Sequence, residues 1–199
     1  MIDFILASGS PRRQQLLKEV GLNFKIQVAN VDEDGITQQL LQRHEMEKSW
    51  IPETLAKEKA IASADLNQAE TIVIGADTIV LLNGEIIGKP TDAQHAFEML
   101  RKLSGNKHNV ITGVCIYDAK SKKPLSIFNE QTEVFFKRLT PEQIQFYITQ
   151  FKPFDKAGSY AIQEWIGLIG IEKINGCFYN VMGLPVSKLM SELGRLNLI

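Results

Sequence analysis

The 199-residue sequence holds two cysteines, three histidines and no apolar run approaching membrane-spanning length. Cys115 and Cys177 are far apart and form no CxxC pair, and the scattered histidines add no zinc-ligand spacing. Reduced thiols in a cytosolic protein are the simplest account. Basic charge is not in excess either: 22 Lys and Arg against 23 Asp and Glu leave a net charge of -1. That balance argues against a nucleic-acid protein relying on bulk electrostatics, although it allows a local basic cleft. Met1 to Leu6 run into a strand with no basic segment ahead of it, so no secretory signal is expected and the protein is placed in the cytoplasm. Repeats and low-complexity tracts are also lacking. What is there is an ordinary globular composition, long enough for one large core or two small lobes.

The most informative segment is Ile5-Leu6-Ala7-Ser8-Gly9-Ser10-Pro11-Arg12-Arg13. It reads as a short strand, a small-residue loop and a helix. Ser10 suits the N-cap and Pro11 the first turn, where its missing N–H is no loss. Two guanidiniums then sit at the positive end of the helix dipole, where cations are disfavoured. An anion offsets that, and phosphate fits a helix N-terminus and bidentate arginine. A solvated arginine pair on an amphipathic helix is the plainer alternative, since Leu16, Leu17 and Val20 supply a normal apolar face.

Further along, strand and helix patterns alternate. Phe24 to Val28 is strand-like, Asp32-Glu33-Asp34 is an acidic loop and Thr37 to Ser49 a polar stretch. Pro52 to Ala64 reads as a helix with Leu55, Lys59 and Ala62 near one face. Thr71 to Ile74 is a short apolar strand ending in Gly75-Ala76-Asp77-Thr78, and Ile79 to Ile87 a hairpin about Asn83-Gly84. Thr91 with Gln94 opens a capped helix closed by Gly105. Val110 to Tyr117 and Ile127 to Phe136 are strands, and Thr140-Pro141-Glu142-Gln143 caps a helix. Tyr160 to Ile162 and Ile166 to Ile174 look extended, and Pro185 opens the last helix. The fold class is α/β with a mixed sheet.

Asp77, just past a buried strand, is placed where α/β sheets bind ligands, and its carboxylate suits a divalent cation or a proton from water. It equally suits a turn residue capping Thr78 or Ile79. Gly84 to Pro90 imitates a phosphate loop, but three residues separate the glycines and Pro90 replaces the magnesium-binding hydroxyl. Lys89 still offers a point charge. Gln163, read as following Ile162 on a strand, carries an amide able to read a base edge or simply to satisfy a strand. Glu33 is a second carboxylate for a metal, or part of a solvated loop.

In order, the blocks Leu6 to Arg13, Leu55-Ala56 with Lys59-Ala60, Gly75 to Thr78, Gly84-Glu85 with Gly88-Lys89-Pro90, Leu103 to Gly105, Thr112 to Val114, Asp155 to Gly158 and Gly183 to Pro185 resemble the Maf family of nucleotide pyrophosphatases, also called septum-formation-inhibitor-like proteins. The resemblance spans nearly the whole chain, read as one domain over 1–199. It implies two lobes flanking a deep cleft, similar to inosine-triphosphate pyrophosphatases, and a homodimer. It implies hydrolysis of a nucleoside triphosphate to the monophosphate and pyrophosphate, an acid-anhydride hydrolase using magnesium or manganese, with no nucleic-acid or membrane partner. By this resemblance Asp77 activates water, with Glu33 and Asp77 holding the metal. Ser8, Arg13, Lys59 and Lys89 bind the phosphates, and Arg12, Thr78 and Gln163 set substrate choice. Ala76-Asp77-Thr78 and Gln163 resemble the dTTP/UTP branch rather than the 7-methyl-GTP branch. A nucleotide-responsive regulator of septum formation is a rival expectation, disfavoured by the intact Asp77, Lys89 and arginines. Departures are Glu164 and Trp165 after Gln163, where Gly is common, and Cys177, where Ser is common.

Overall fold

The computed structural model describes residues 2–43, 47–64 and 70–199. It divides into two compact units, one of residues 1–77, 112–130 and 183–199 and one of 78–111 and 131–182. A mixed sheet has the order β2-β1-β3-β5-β6-β7, with β4 added to β3.

In the first unit, β1 (Asp3–Leu6) pairs in parallel with β2 (Lys25–Ile26) and with β3 (Thr71–Leu82), Leu6 lying opposite Ile74. Three helices follow β1: α1 (Pro11–Glu19), α2 (Glu33–Leu41) and α3 (Trp50–Ala64). On α3 the residues Ala56, Ala60 and Ala64 recur every four positions and pack with Ile5, Ala7, Val73, Cys115 and Tyr117 as the core. The small side chains bring the helix close. A Cβ at Gly75 of β3 would lie 2.0 Å from the Ala56 carbonyl oxygen, and one at Gly113 of β5 (Lys107–Asp118) 2.3 Å from the Pro52–Glu53 backbone. The last helix of the chain, Val186–Arg195, is also in this unit.

In the second unit, β3 turns back antiparallel onto β4 (Glu85–Ile87) through Asn83 and Gly84, both at positive φ, as a two-residue type I′ turn requires. Here too are α4 (Ala93–Leu103), α5 (Pro141–Phe151), a single 3-10 turn at Ala157–Ser159, α6 (Trp165–Gly170) and α7 (Phe178–Met182). The strand β6 (Lys123–Phe136) pairs antiparallel with β7 (Ile171–Asn175). Thr140 and Gln143 form the expected capping box on α5.

Several local expectations change. The acidic segment 32–34 is a helix start, because the Asp32 carboxylate accepts from Gly35 N and Glu33 and Asp34 favour the dipole's positive end. Helix α2 therefore takes up residues 37–41 of the stretch read as polar; residues 44–46 lie outside the described ones. Helix α4 is capped by Asp92 rather than Thr91, since the carboxylate accepts from His95 N at 2.8 Å. Tyr160 is extended as expected but Ile162 lies in a turn, and of the segment 166–174 residues 166–170 are helical while 171–174 form the expected strand. Short apolar runs do not distinguish these states.

Candidate active site

The loop after β1 buries Ser8, whose Oγ accepts from Ser10 N at 3.3 Å. Ser10 takes the extended N-cap conformation expected of it, but its own side chain does not cap α1. Arg13, on the first turn of α1, is also buried. Its Nη1 donates to Ser8 Oγ at 3.1 Å and to the Ala76 carbonyl at 2.8 Å, and its Nε to the Gly183 carbonyl at 2.8 Å. One guanidinium thus joins the β1 loop, β3 and the segment before the last helix. Burial pushes its pKa down and the Asp77 charge pushes it back up. Arg12 is half-buried beside it, close enough for its charge to act on Arg13.

Asp77 is buried, but it lies inside β3 rather than past its end. The parallel pairing with β1 stops at Ile74, and the strand continues as the hairpin partner of β4. Asp77 is therefore just beyond the carboxyl end of the parallel pair, the position the sequence reading assigned for another reason. Lys59 Nζ, from α3, stands 2.6 Å from Asp77 Oδ1 and 3.0 Å from Glu33 Oε2. Burial raises the Asp77 pKa above the usual carboxylate range, against the opposing pull of Lys59 and Arg13, with the Glu33 charge adding to the rise. Ser8, Arg13, Lys59, Glu33 and Asp77 are thus linked through polar contacts and charge within one unit.

Thr78, the next residue, is half-buried on the opposite face of the strand and opens the second unit. Lys89 is exposed, in the segment after β4. Gln163 is exposed in a turn before α6, not on a strand. Their loops are tied within this unit: Gly158 N, at positive φ in the 3-10 turn, donates to the Gly88 carbonyl at 2.9 Å. Motif reading missed the polar network behind Gln163. Lys156 is buried and pairs with Asp155 at 2.7 Å and Glu164 at 3.5 Å, and Glu164 also accepts from Tyr147. Glu164 lies eight residues beyond Lys156 and Tyr147 on another element, so no local pattern signalled the network.

The chain matches the family model described as Maf-like protein over residues 3–196. The chain belongs to the Maf-like protein family. Relatives of this Maf-like chain include a dTTP/UTP pyrophosphatase of Cytophaga hutchinsonii, 52% identical over 98% of this chain and 84% of that one. The dTTP/UTP pyrophosphatase of Flavobacterium psychrophilum is 48% identical over 93% and 90% of the two chains. That of Bacteroides thetaiotaomicron is 42% identical over 96% and 95%. Among solved structures, a HAM1 protein from Coxiella burnetii aligns with 70% of this Maf-like chain and 75% of its own, at TM-score 0.44 and 14% identity.

Proposed function

We propose that this chain is a nucleoside triphosphate pyrophosphatase that hydrolyses dTTP and UTP to the monophosphate and pyrophosphate, clearing surplus or modified pyrimidine nucleotides. The observation that carries the reading is the buried Asp77 carboxylate held by Lys59 beside the Arg13–Ser8 pair. A desolvated carboxylate with a raised pKa is suited to accept a proton. The names of the relatives supply the substrate class.

Among the described residues no three His, Cys, Asp or Glu side chains converge on a point, so no all-protein metal cage exists. Glu33 and Asp77 do converge on the Lys59 ammonium, and two carboxylates sharing a cation with substrate phosphates is a donor set that fits magnesium or manganese. When bound by Glu33 and Asp77, the cation would neutralise charge on the phosphate oxygens. The remaining steps on this reading belong to the protein's own residues. On substrate arrival Lys59 exchanges Asp77 for a phosphate oxygen and frees the carboxylate. Asp77 takes a proton from water as the water oxygen bonds to the α-phosphorus. The bond from that phosphorus to the bridging oxygen breaks, its electrons leaving on pyrophosphate. Lys59 and Lys89 offset the developing charge, and Arg13 holds Ser8 in the anion-binding loop. Arg12, Thr78 and Gln163 select the nucleotide, Gln163 through the carbonyl and imide N–H of the pyrimidine.

The whole chain, 1–199, works on this reading as one Maf-like domain in a cytoplasmic homodimer. No helix among the described residues is long and apolar enough to cross a membrane. The test is pyrophosphate release from dTTP, UTP, CTP, dATP, GTP and 7-methyl-GTP with magnesium and with manganese, beside the Asp77→Asn protein. Turnover of dTTP and UTP that the variant lacks is expected. A preference for 7-methyl-GTP, or equal rates in Asp77→Asn, overturns the assignment.

A further inference from the structure

We propose that Glu164 is a positioning residue for base selection, holding the turn that presents Gln163. The proposal rests on the reading of Gln163 as the base-contacting amide. A glutamine amide can match either a uracil-type or a cytosine-type edge, depending on which of its ends faces the base. Selection therefore depends on where the backbone places it, and Gln163 is exposed.

The residues on either side are pinned instead. Glu164 Oε2 accepts from the Tyr147 hydroxyl, and the same hydroxyl oxygen accepts from Ala161 N at 3.2 Å. Glu164 Oε1 lies 3.5 Å from Lys156 Nζ, whose side chain is 9% exposed and also pairs with Asp155. The backbone closes the turn a second time, with Glu164 N donating to the Ala161 carbonyl at 3.1 Å and Gly167 N to the Glu164 carbonyl at 2.9 Å. Trp165 then packs on Phe146, the neighbour of Tyr147 on α5, with ring centroids 4.8 Å apart. Gln163 thus sits in a four-residue span, 161–164, tied at both ends to one buried tyrosine. The tie on the far side is the Glu164 carboxylate, which meets both Tyr147 and Lys156.

Misplacing one contact group by about 1 Å reduces efficiency on the order of 100-fold in the strongest cases, so a partial release of the turn is expected to lower the dTTP-to-dCTP ratio of kcat/KM by roughly 10-fold. The experiment measures that ratio in Glu164→Ala, Glu164→Gln, Tyr147→Phe, Gln163→Ala and the Gln163→Ala/Glu164→Ala double variant. The ratio should fall in Glu164→Ala and Tyr147→Phe and be partly restored in Glu164→Gln, which keeps an acceptor for Tyr147. In the Glu164 and Tyr147 single variants saturating kcat on dTTP should hold within about 2-fold, since Asp77 is untouched, and the double variant should be no less selective than Gln163→Ala alone. If Gln163→Ala loses selectivity while the Glu164 and Tyr147 variants keep it, the positioning role is overturned and the base reading stands. If Gln163→Ala keeps its selectivity, the base reading falls and this proposal with it. Should Glu164→Ala fail to fold, Glu164→Gln and Tyr147→Phe decide the question.

Discussion

The ammonium of Lys59 and the carboxylate of Asp77 meet at 2.6 Å, with both side chains at or below about one-eighth exposure. Neither residue reaches the other by chance of sequence. Lys59 is on a helix that comes down onto β3 only because Gly75 has no side chain beneath Ala56.

Removing one member of this pair has different consequences for each member. Asp77→Asn should abolish turnover by a factor of 100 or more while leaving the fold intact. Its stability relative to the parent should rise with pH. The raised Asp77 pKa means the folded state binds more protons than the unfolded state between the ordinary carboxylate value and the raised one. Parent stability therefore falls as pH climbs through that window, and an uncharged amide escapes the loss. Lys59→Met leaves the carboxylate buried without its nearest cation. We expect a loss on the order of 3 kcal/mol at neutral pH that shrinks as pH falls and Asp77 takes up a proton. Urea melts of both variants across the acid-to-neutral range check the opposite trends; parallel curves would contradict the account.

Gly75→Ala tests the route by which the pair is assembled. The new Cβ would stand 2.0 Å from a backbone oxygen, which no side-chain rotation relieves. Helix α3 must lift, at about 2–3 kcal/mol of stability, and Lys59 is carried away from Asp77. Stability and turnover should fall together. A variant that loses stability but keeps the parent kcat would show that α3 is not what sets the Lys59 position.

His108 predicts a separate acid sensitivity. It is buried in the second unit with Nε2 2.8 Å from the Tyr160 hydroxyl, its ring against Phe136, and Nδ1 without a hydrogen-bond partner among the described residues. Burial pushes its pKa down to about 4, while the unfolded value is near 6.5. The unfolded state therefore gains protons first, and stability should drop as pH falls from about 6.5 towards 4, by on the order of 3 kcal/mol in full. Chemical denaturation at pH 7 and pH 5 should show this slope, and His108→Asn should flatten it. An unchanged slope would place the acid sensitivity elsewhere.

How far the sequence could be read depended on how local each signal was. Asn83-Gly84 declared its turn, and Thr140 with Gln143 its cap, because three or four adjacent residues determine those structures. Ser8 and Arg13 were readable together since five positions on a loop-helix junction bring them into contact. By contrast, Gly75-Ala76-Asp77-Thr78 looked like the end of a strand when it is the middle of one. Small residues there make room for α3, and a turn and a close approach call for the same residue types. Nothing local announced that Glu164 reaches Tyr147, seventeen residues back on another helix.

Arg13 has a bearing on how the protein is made. Its Nε is satisfied by the carbonyl of Gly183, 170 positions later. A chain emerging from the ribosome lays down the β1 loop, α1 and β3 early, but the unit they belong to also needs residues 112–130 and 183–199. The carbonyl that meets Arg13 Nε is therefore supplied only when almost the entire polypeptide has been synthesised. Truncation before Gly183 would remove the acceptor of Arg13 Nε, so fragments released early should lack a finished candidate site.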